Sequence, residues 1–583
     1  MAETLISPGV LTRENDLSFI TPAPVVAGAA FVGPTVKGPV EIPTVVSSYS
    51  EYLSIFGSTF DSGSSKQEFL TSIAVKNYFQ QGGQSAIVAR VVSGSFTSGT
   101  STHISASLNG GTAPFELKTF GKGAIFNNST GLTDPGQENT DGSLVSGSVE
   151  NLRWEVSNVN NSKGTFTLLV RRGNDSDKNK VILESWNNLS LDPESDNYIE
   201  SVIGNQFQTV NTAESQYYVA TSGSYPNRSR YVYVSSVNRP TFNYLSNDGL
   251  TVNKDSSGNS FSGSLPVVGS GSFYGATGNI VQTGANNYFT EINTVTQGLV
   301  AGNYNNVLNL LSNQDEYVYN VISVPGLIYS VSAHAAVLDD LISRVEQRGD
   351  AIVAVDLVRY GSTISTVTQT ATLLNTSYGA SYWPWVQVRS DTGKNVFVPA
   401  STIIPGVYAF NDRLTAPWYA PAGLVRGGIP GVIQAERKLT KGNRDDLYDN
   451  KVNPIATFPG AGIAVFGQKT LQTKASALDR VNVRRLLIEL KKFFSDQARN
   501  LVFEQNTINT RNRFLSIVNP YLESVAQRQG LYAFRVVMDE TNNTNDVIDR
   551  NQLVGQVFIQ PSKTAEFIIL DFTLEPTGAT FVA

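Results

Sequence analysis

Cysteine is absent from this chain of 583 residues, and histidine occurs twice. The first absence excludes disulfides, thiolate metal sites and cysteine nucleophiles. Charge is scarce too: charged residues make up 16% of the chain, against about 25% in an average soluble protein. Glycine, serine, threonine and asparagine take their place, a composition suited to surfaces that end up covered by partners. The net charge of -6 argues against a general nucleic-acid binder, which is usually basic. No apolar run reaches the length of a membrane span, and no basic amino-terminal segment leads into an apolar one. Neither membrane insertion nor a secretion signal is therefore expected, and assembly in a cytoplasm is.

What is present suggests about three or four domains at ordinary domain sizes, with 40% hydrophobic and 10% aromatic residues to fill their cores. Residues 1–24 lack helical periodicity and carry Pro8, Gly9, Pro22 and Pro24, which favours an extended arm. Residues 25–32 then read as a small-residue strand, 51–56 and 67–80 as helices, the second stopping at Gly82-Gly83, and 86–92 as a strand. From 93 to about 315 the texture changes to short alternating runs, such as 165–171 and 231–237, between turn-rich clusters. That is the pattern of antiparallel strands, and the block reads as one or two inserted β-rich domains. Within it, 93–111 and 255–278 are so rich in Gly, Ser, Thr and Asn that they are expected to be loops or linkers.

After about residue 317 an α/β pattern returns, with a strand at 318–324 closing at Pro325-Gly326, a helix at 332–347 and a strand at 351–358. Residues 453–471 form a glycine-punctuated strand candidate. From 479 to 503, Val483, Leu486, Leu487, Leu490, Phe493, Phe494 and Leu501 fall on one arc at helical spacing, while Arg484, Lys491, Lys492 and Arg499 fall on another. Residues 480–500 hold six basic side chains, Arg480, Arg484, Arg485, Lys491, Lys492 and Arg499, against acidic Glu489 and Asp496. A second helix near 512–528 and strands at 530–539, 552–560 and 566–574 complete the chain before a tail at 575–583.

No catalytic constellation survives comparison with an ordinary structural role. Residues 462–470 superficially resemble a phosphate-binding loop, but Gln468 stands between Gly467 and Lys469, where that motif needs Lys directly after Gly. His334 lies in a helical pattern and His103 in a Gly/Ser loop, neither with a metal-ligand neighbour at useful spacing. Asp339 and Asp340 are adjacent on a helix and point about 100° apart rather than converging. No Gly-x-Ser-x-Gly elbow is present. An enzyme has no nucleophile here, and no cofactor is expected.

Several stretches together resemble one family, the sheath proteins of bacteriophage contractile tails. They are Asp479-Arg480-Val481-Asn482-Val483-Arg484-Arg485-Leu486, Phe503-Glu504-Gln505-Asn506, Asp539-Glu540-Thr541-Asn542-Asn543-Thr544, Val547-Ile548-Asp549-Arg550-Asn551 and Phe558-Ile559-Gln560-Pro561. Ser7-Pro8-Gly9-Val10 and the run 29–40 resemble the amino end of the same family, and the likeness fades between about 90 and 317. The resemblance implies an α/β (α+β) core built from both chain ends, 25–92 with 316–574, with 453–574 innermost, 93–315 inserted on the outside and extended terminal arms. It implies a structural subunit of the virion that polymerises as stacked six-fold helical rings around an inner tail tube, between baseplate and tail terminator proteins. By the same resemblance the subunit would contract to drive the tube through the host envelope and make no direct contact with nucleic acid. Part of the basic stripe Arg484, Arg485, Lys491, Lys492 and Arg499 would face an acidic patch on the tube. Leu5, Val10, Leu11, Phe567, Ile569, Leu570 and Phe572 would lie on arm strands that add to a neighbour's sheet. The alternatives are a secreted cell-surface array or adhesin, a nucleotide-driven enzyme suggested only by Lys469-Thr470, and a bacteriocin or secretion-system sheath.

Overall fold

The apolar runs near both ends of the chain pair with one another in a single eight-stranded sheet. Its order is Gly462–Val465, Val452–Phe458, Gly379–Trp383, Ile352–Asp356, Val321–Ile328, Ala29–Gly33, Ala86–Arg90 and Thr44–Val46. The six inner strands run parallel, and an antiparallel strand closes each edge. This computed structural model describes residues 25–566 except 27, 63–64, 102–103, 105–112, 129–137, 281–290 and 295–296. The expected arms, with Leu5, Val10, Leu11, Phe567, Ile569, Leu570 and Phe572, and also His103, lie outside the described residues.

A parallel sheet is covered on both faces, so its strands read as near-continuous apolar runs. Ala29–Gly33, Ala86–Arg90, Ile352–Asp356 and Gly379–Trp383 are buried at every position. Alternate side chains feed two clusters. Ala30, Val32, Ile87, Ile322 and Val353 face one way, toward Leu338, Leu341 and Val345 of the helix Ser332–Arg348. Phe31, Val88, Ile352 and Ala354 face the other, toward Ile73 and Tyr78 of Leu70–Gln80 and Val407 of Ile404–Leu414. Truncating Phe31 to Ala would cost about 3–5 kcal/mol by leaving a cavity in this second cluster.

The strand expected to close at Pro325-Gly326 instead runs to Ile328. Gly326 takes φ +94°, and the register against Ile352–Asp356 jumps between Ser323 and Ile328, so the chain bulges there rather than turning away. The single strand candidate at 453–471 is two strands folded back through a turn at Gly460 and Gly462, both with positive φ.

The inserted block forms a seven-stranded antiparallel sheet, ordered Ile182–Ser190, Thr165–Arg172, Leu152–Asn160, Gly269–Tyr274, Ser98–Ser101, Phe115–Lys122 and Val232–Val237. Two of these strands fall where loops were expected. Gly269–Tyr274 lies inside the sheet, and a Cβ at Gly271 would come within 2.5 Å of the Trp154 ring. The glycine and serine that made the stretch look like a linker are what let the indole lie across it. Residues 292–311, grouped with the insert by sequence, supply Ile292, Leu299, Tyr304, Val307 and Leu311 to the first cluster of the central sheet. Between insert and central sheet stands Arg90, fully buried, donating to the carbonyls of Gly38 and Lys122 at 2.9 and 2.7 Å. Burial pulls its guanidinium down to about 9.

Candidate functional site in the C-terminal helical layer

Helices Val481–Arg499 and Ile508–Gln527 pack beside the central sheet and carry the hairpin Leu531–Val537 with Gln556–Pro561. The first helix belongs to two cores at once. Val481 and Ile488 enter the second cluster of the central sheet. Leu486 and Leu490 join Phe514, Val518, Leu522, Val525, Leu531 and Met538 in a smaller one. Phe493 and Tyr521 stack across the helix pair at 3.7 Å. Thr507 caps the second helix, its side chain accepting from the Thr510 amide.

The basic residues of the first helix divide. Arg484 and Arg485, expected on a tube-facing stripe, are buried at 4% and 5% exposure. Arg484 donates to the Ser377 hydroxyl and lies 4.0 Å from the Tyr378 ring, and burial pulls its guanidinium below the ordinary arginine value. Arg485 donates to Asp412 at 2.5 Å and stacks at 4.6 Å on Tyr408. Both are spent inside the molecule, locking the helix to chain some 70 to 110 residues away. Lys491 is exposed, its Nζ 3.4 Å from the Tyr378 hydroxyl, and Lys492 is half-buried. Arg499 meets Asp315 at 2.5 Å, both well exposed. Arg480 forks onto Glu566 at 2.7 and 3.0 Å. Burial pushes the Glu566 carboxyl up, but hydrogen bonds from Arg480, Gln468 and Tyr448 hold it below the usual range. This anchor fixes where the chain leaves toward residues 567–583, and no local sequence signal pointed to it.

Several of the residues behind the family resemblance have structural work. Asn506 donates to the Gln552 carbonyl at 2.9 Å and to Asn543 at 3.2 Å. Asn543 exchanges two 2.8 Å hydrogen bonds with the Val554 backbone. Asp539 accepts from the Thr541 amide, and Asn542 donates to the Val537 carbonyl. Together these side chains tie the loop between the helices to the connection inside the hairpin.

Each hairpin strand pairs only with the other among the described residues, leaving two open edges beside the exposed side chains Tyr532, Val557 and Phe558. Exposed strand edges invite another chain. Elsewhere, the residues tested for chemistry are occupied. Lys469 donates its Nζ to the Tyr448 carbonyl at 2.7 Å, and its amide donates to Asn453. Thr470 donates to the Leu478 carbonyl. His334 accepts on Nδ1 from the Ile328 amide, and its Nε2 lies 2.9 Å from the Ile292 carbonyl. Asp340 pairs with Arg344. Among the described residues no group of three or more His, Asp or Glu side chains is placed to hold a metal, and no helix is long and apolar enough to cross a membrane.

An α/β body that presents an unfinished hairpin and exposed apolar loops has the surface of an assembly protein. Residues 301–471 match the family described as phage tail sheath protein central domain, and 473–575 the phage tail sheath C-terminal domain. Over these two stretches the chain is similar to phage tail sheath domains. It is 43% identical over 188 residues to the tail sheath protein of Vibrio phage KVP40, covering 32% of this chain and 28% of that one. To the tail sheath protein of Enterobacteria phage T4 it is 38% identical over 187 residues, with 32% and 28% covered. The matched stretch thus spans under a third of either curated relative. The fold also aligns with the sheath tail protein of Listeria innocua at a TM-score of 0.52 and 11% identity, over 92% of this chain and 95% of that one.

Proposed function

We propose that this chain is the sheath subunit of a contractile phage tail, polymerising as stacked six-fold helical rings around an inner tube and contracting to drive the tube through the host envelope. The observation that carries the reading is the pair of matched sheath domains ending in a hairpin whose two outer edges are open among the described residues. Residues 1–24 and 566–574 of neighbouring subunits add to those edges, gaining backbone hydrogen bonds and alternate side-chain pockets. Arms of this kind keep neighbours connected while their bodies rotate. Contraction then draws its work from the difference in contact free energy between two packings of one rigid subunit, and no nucleotide is consumed. The inserted sheet decorates the outside. Lys491, Lys492 and Arg499 face the tube, and the baseplate and tail terminator bound the array.

Negative-stain microscopy of the purified protein tests the reading: striated tubes are expected, and a protein that stays monomeric at high concentration overturns it. Removing residues 1–24 should leave an unchanged circular dichroism spectrum and no tubes. Normal sheaths from the truncated protein would end the connecting-arm mechanism.

A further inference from the structure

The loop between the two C-terminal helices presents Phe503 to solvent with its side chain fully exposed, next to exposed Val502. Phe503 also holds φ +70°, a left-handed conformation that a bulky residue adopts only when its surroundings enforce it. Here they do. Leu501 is buried beneath it in the helical core, and Asn506 ties the following turn to Gln552 and Asn543. The result is a rigid apolar knob whose loop, 500–507, carries a single charge, Glu504.

At the other end of the layer lies a groove of about 870 Å³ between the central sheet and the hairpin. Its aromatic lining is Trp418, Tyr419, Tyr448, Phe466 and Tyr532, of which Phe466 and Tyr532 remain 44% and 66% exposed. Arg426, Lys441, Arg444 and Lys563 stand around it against Asp445, while the charge of Glu566 is already taken by Arg480. The knob precedes Ile508–Gln527 and the groove begins just beyond it at Gln529. A 20-residue helix separates them by about 30 Å, so a subunit's knob does not reach its own groove.

We infer that the Val502-Phe503 knob of one subunit seats in the Trp418–Tyr532 groove of a second copy of this chain. The apolar ring enters an aromatic-lined cleft, and Glu504, half-exposed and only loosely paired with Arg513 at 3.8 Å, meets its basic rim. Two different patches joined this way make a head-to-tail contact, which propagates into rings or helices rather than closing as a dimer. This contact rests on the sheath reading and adds to it a side-chain lock separate from the terminal arms.

The cysteine-free chain makes the test direct. Phe503→Cys and Tyr532→Cys are prepared as separate full-length variants with tags of different size, co-assembled, oxidised and run on a non-reducing gel. A disulfide-linked heterodimer is expected from assembled mixtures and from neither variant alone. Phe503→Asp, with an unchanged circular dichroism spectrum, should need at least a ten-fold higher protein concentration to form tubes. Mixed tubes without heterodimer, self-linking of the Phe503→Cys variant, or normal tube formation by Phe503→Asp would each overturn the contact while leaving the sheath reading intact. Failure of the unmodified protein to form tubes under any condition would overturn both.

Discussion

The inserted sheet and the C-terminal helical layer solve the problem of surface in opposite ways. The insert encloses its own cluster of Phe115, Trp154, Phe166, Leu168 and Val234, and it even buries charge. Arg153 and Arg171 are fully buried, both reach Asp175, and Glu138, Glu155 and Asp177 complete the set. The helical layer has a smaller core, exposes Val502, Phe503, Ile508, Ile517, Tyr532 and Phe558, and leaves both hairpin edges open among the described residues; the insert too exposes single apolar side chains, Phe242, Leu250 and Val268 among them, but around a larger closed core. A region that satisfies its own groups can be elaborated without consequence for neighbours. One that leaves edges and rings uncovered gains stability only from another chain. On this comparison, the proposed assembly contacts fall in the helical layer.

The sharpest way to break the comparison is to damage the closed region and watch the open one. Asp175 accepts from Arg171 at 2.7 and 2.9 Å, from Arg153 at 3.2 Å and from the Val181 amide at 3.0 Å. Asp175→Asn leaves two buried guanidinium groups short of a carboxylate, at a cost of about 3 kcal/mol or more. Limited proteolysis should then cut first between 93 and 280, while tubes still form. Loss of tubes from a protein whose remaining domains stay folded would show that the insert takes part in assembly.

Arg485→Ala is expected to cost somewhat less, about 2–3 kcal/mol. It removes a single charge-assisted hydrogen bond and the stacking on Tyr408, but Asp412 is 29% exposed and can rehydrate. Urea unfolding measures it. Arg485→Lys should recover little, because an ammonium cannot both pair with Asp412 and stack flat on the ring. A wild-type midpoint in either variant would show that the helix is held by its apolar face alone.

These cases mark what the sequence made legible. The helices Val481–Arg499 and Ile508–Gln527 were readable because amphipathic spacing is local, and most strands of the central sheet because burial on both faces leaves continuous apolar runs; Gly379–Trp383 and Thr44–Val46 were not read as strands. Gly269–Tyr274 was not, since its glycine serves Trp154, more than a hundred residues away. Nor was the burial of Arg484 and Arg485: residue type places arginine on a surface, and only Tyr378, Tyr408 and Asp412, brought in by tertiary folding, make the interior acceptable. The Arg480–Glu566 anchor spans 86 residues and has no local signature either.

That anchor gives a smaller, pH-dependent effect. The folded-state carboxyl of Glu566 lies below its ordinary value of 4.5. Its contribution is therefore full above the unfolded value and lost as pH falls through the folded one. Partly exposed, the pair contributes about 1 kcal/mol. Glu566→Gln should remove that amount at pH 7 and narrow the difference from wild type below about pH 4, as read from urea midpoints across that range. Equal stability of the two proteins at pH 7 would show that Arg480 holds nothing there.

The smallest effect per site belongs to the lysines that remain available on the first helix. With Arg484 and Arg485 buried, the proposed tube recognition rests on Lys491, Lys492 and Arg499. Arg499 is already shared with Asp315, which leaves the lysines as the least committed cations. Exposed pairs contribute about 0–1 kcal/mol each and are screened by salt, so one subunit gains almost nothing. The proposed sheath would repeat the contact in every subunit, and weak pairs of this kind would orient a ring without preventing it from sliding. Lys491→Glu with Lys492→Glu should therefore leave self-assembly intact and weaken loading onto tail tubes at low salt, and added salt should weaken loading of the unmodified protein. Co-sedimentation with tubes reads both. If the double variant loads as the parent does at low salt, the helical layer meets the tube through something other than these charges.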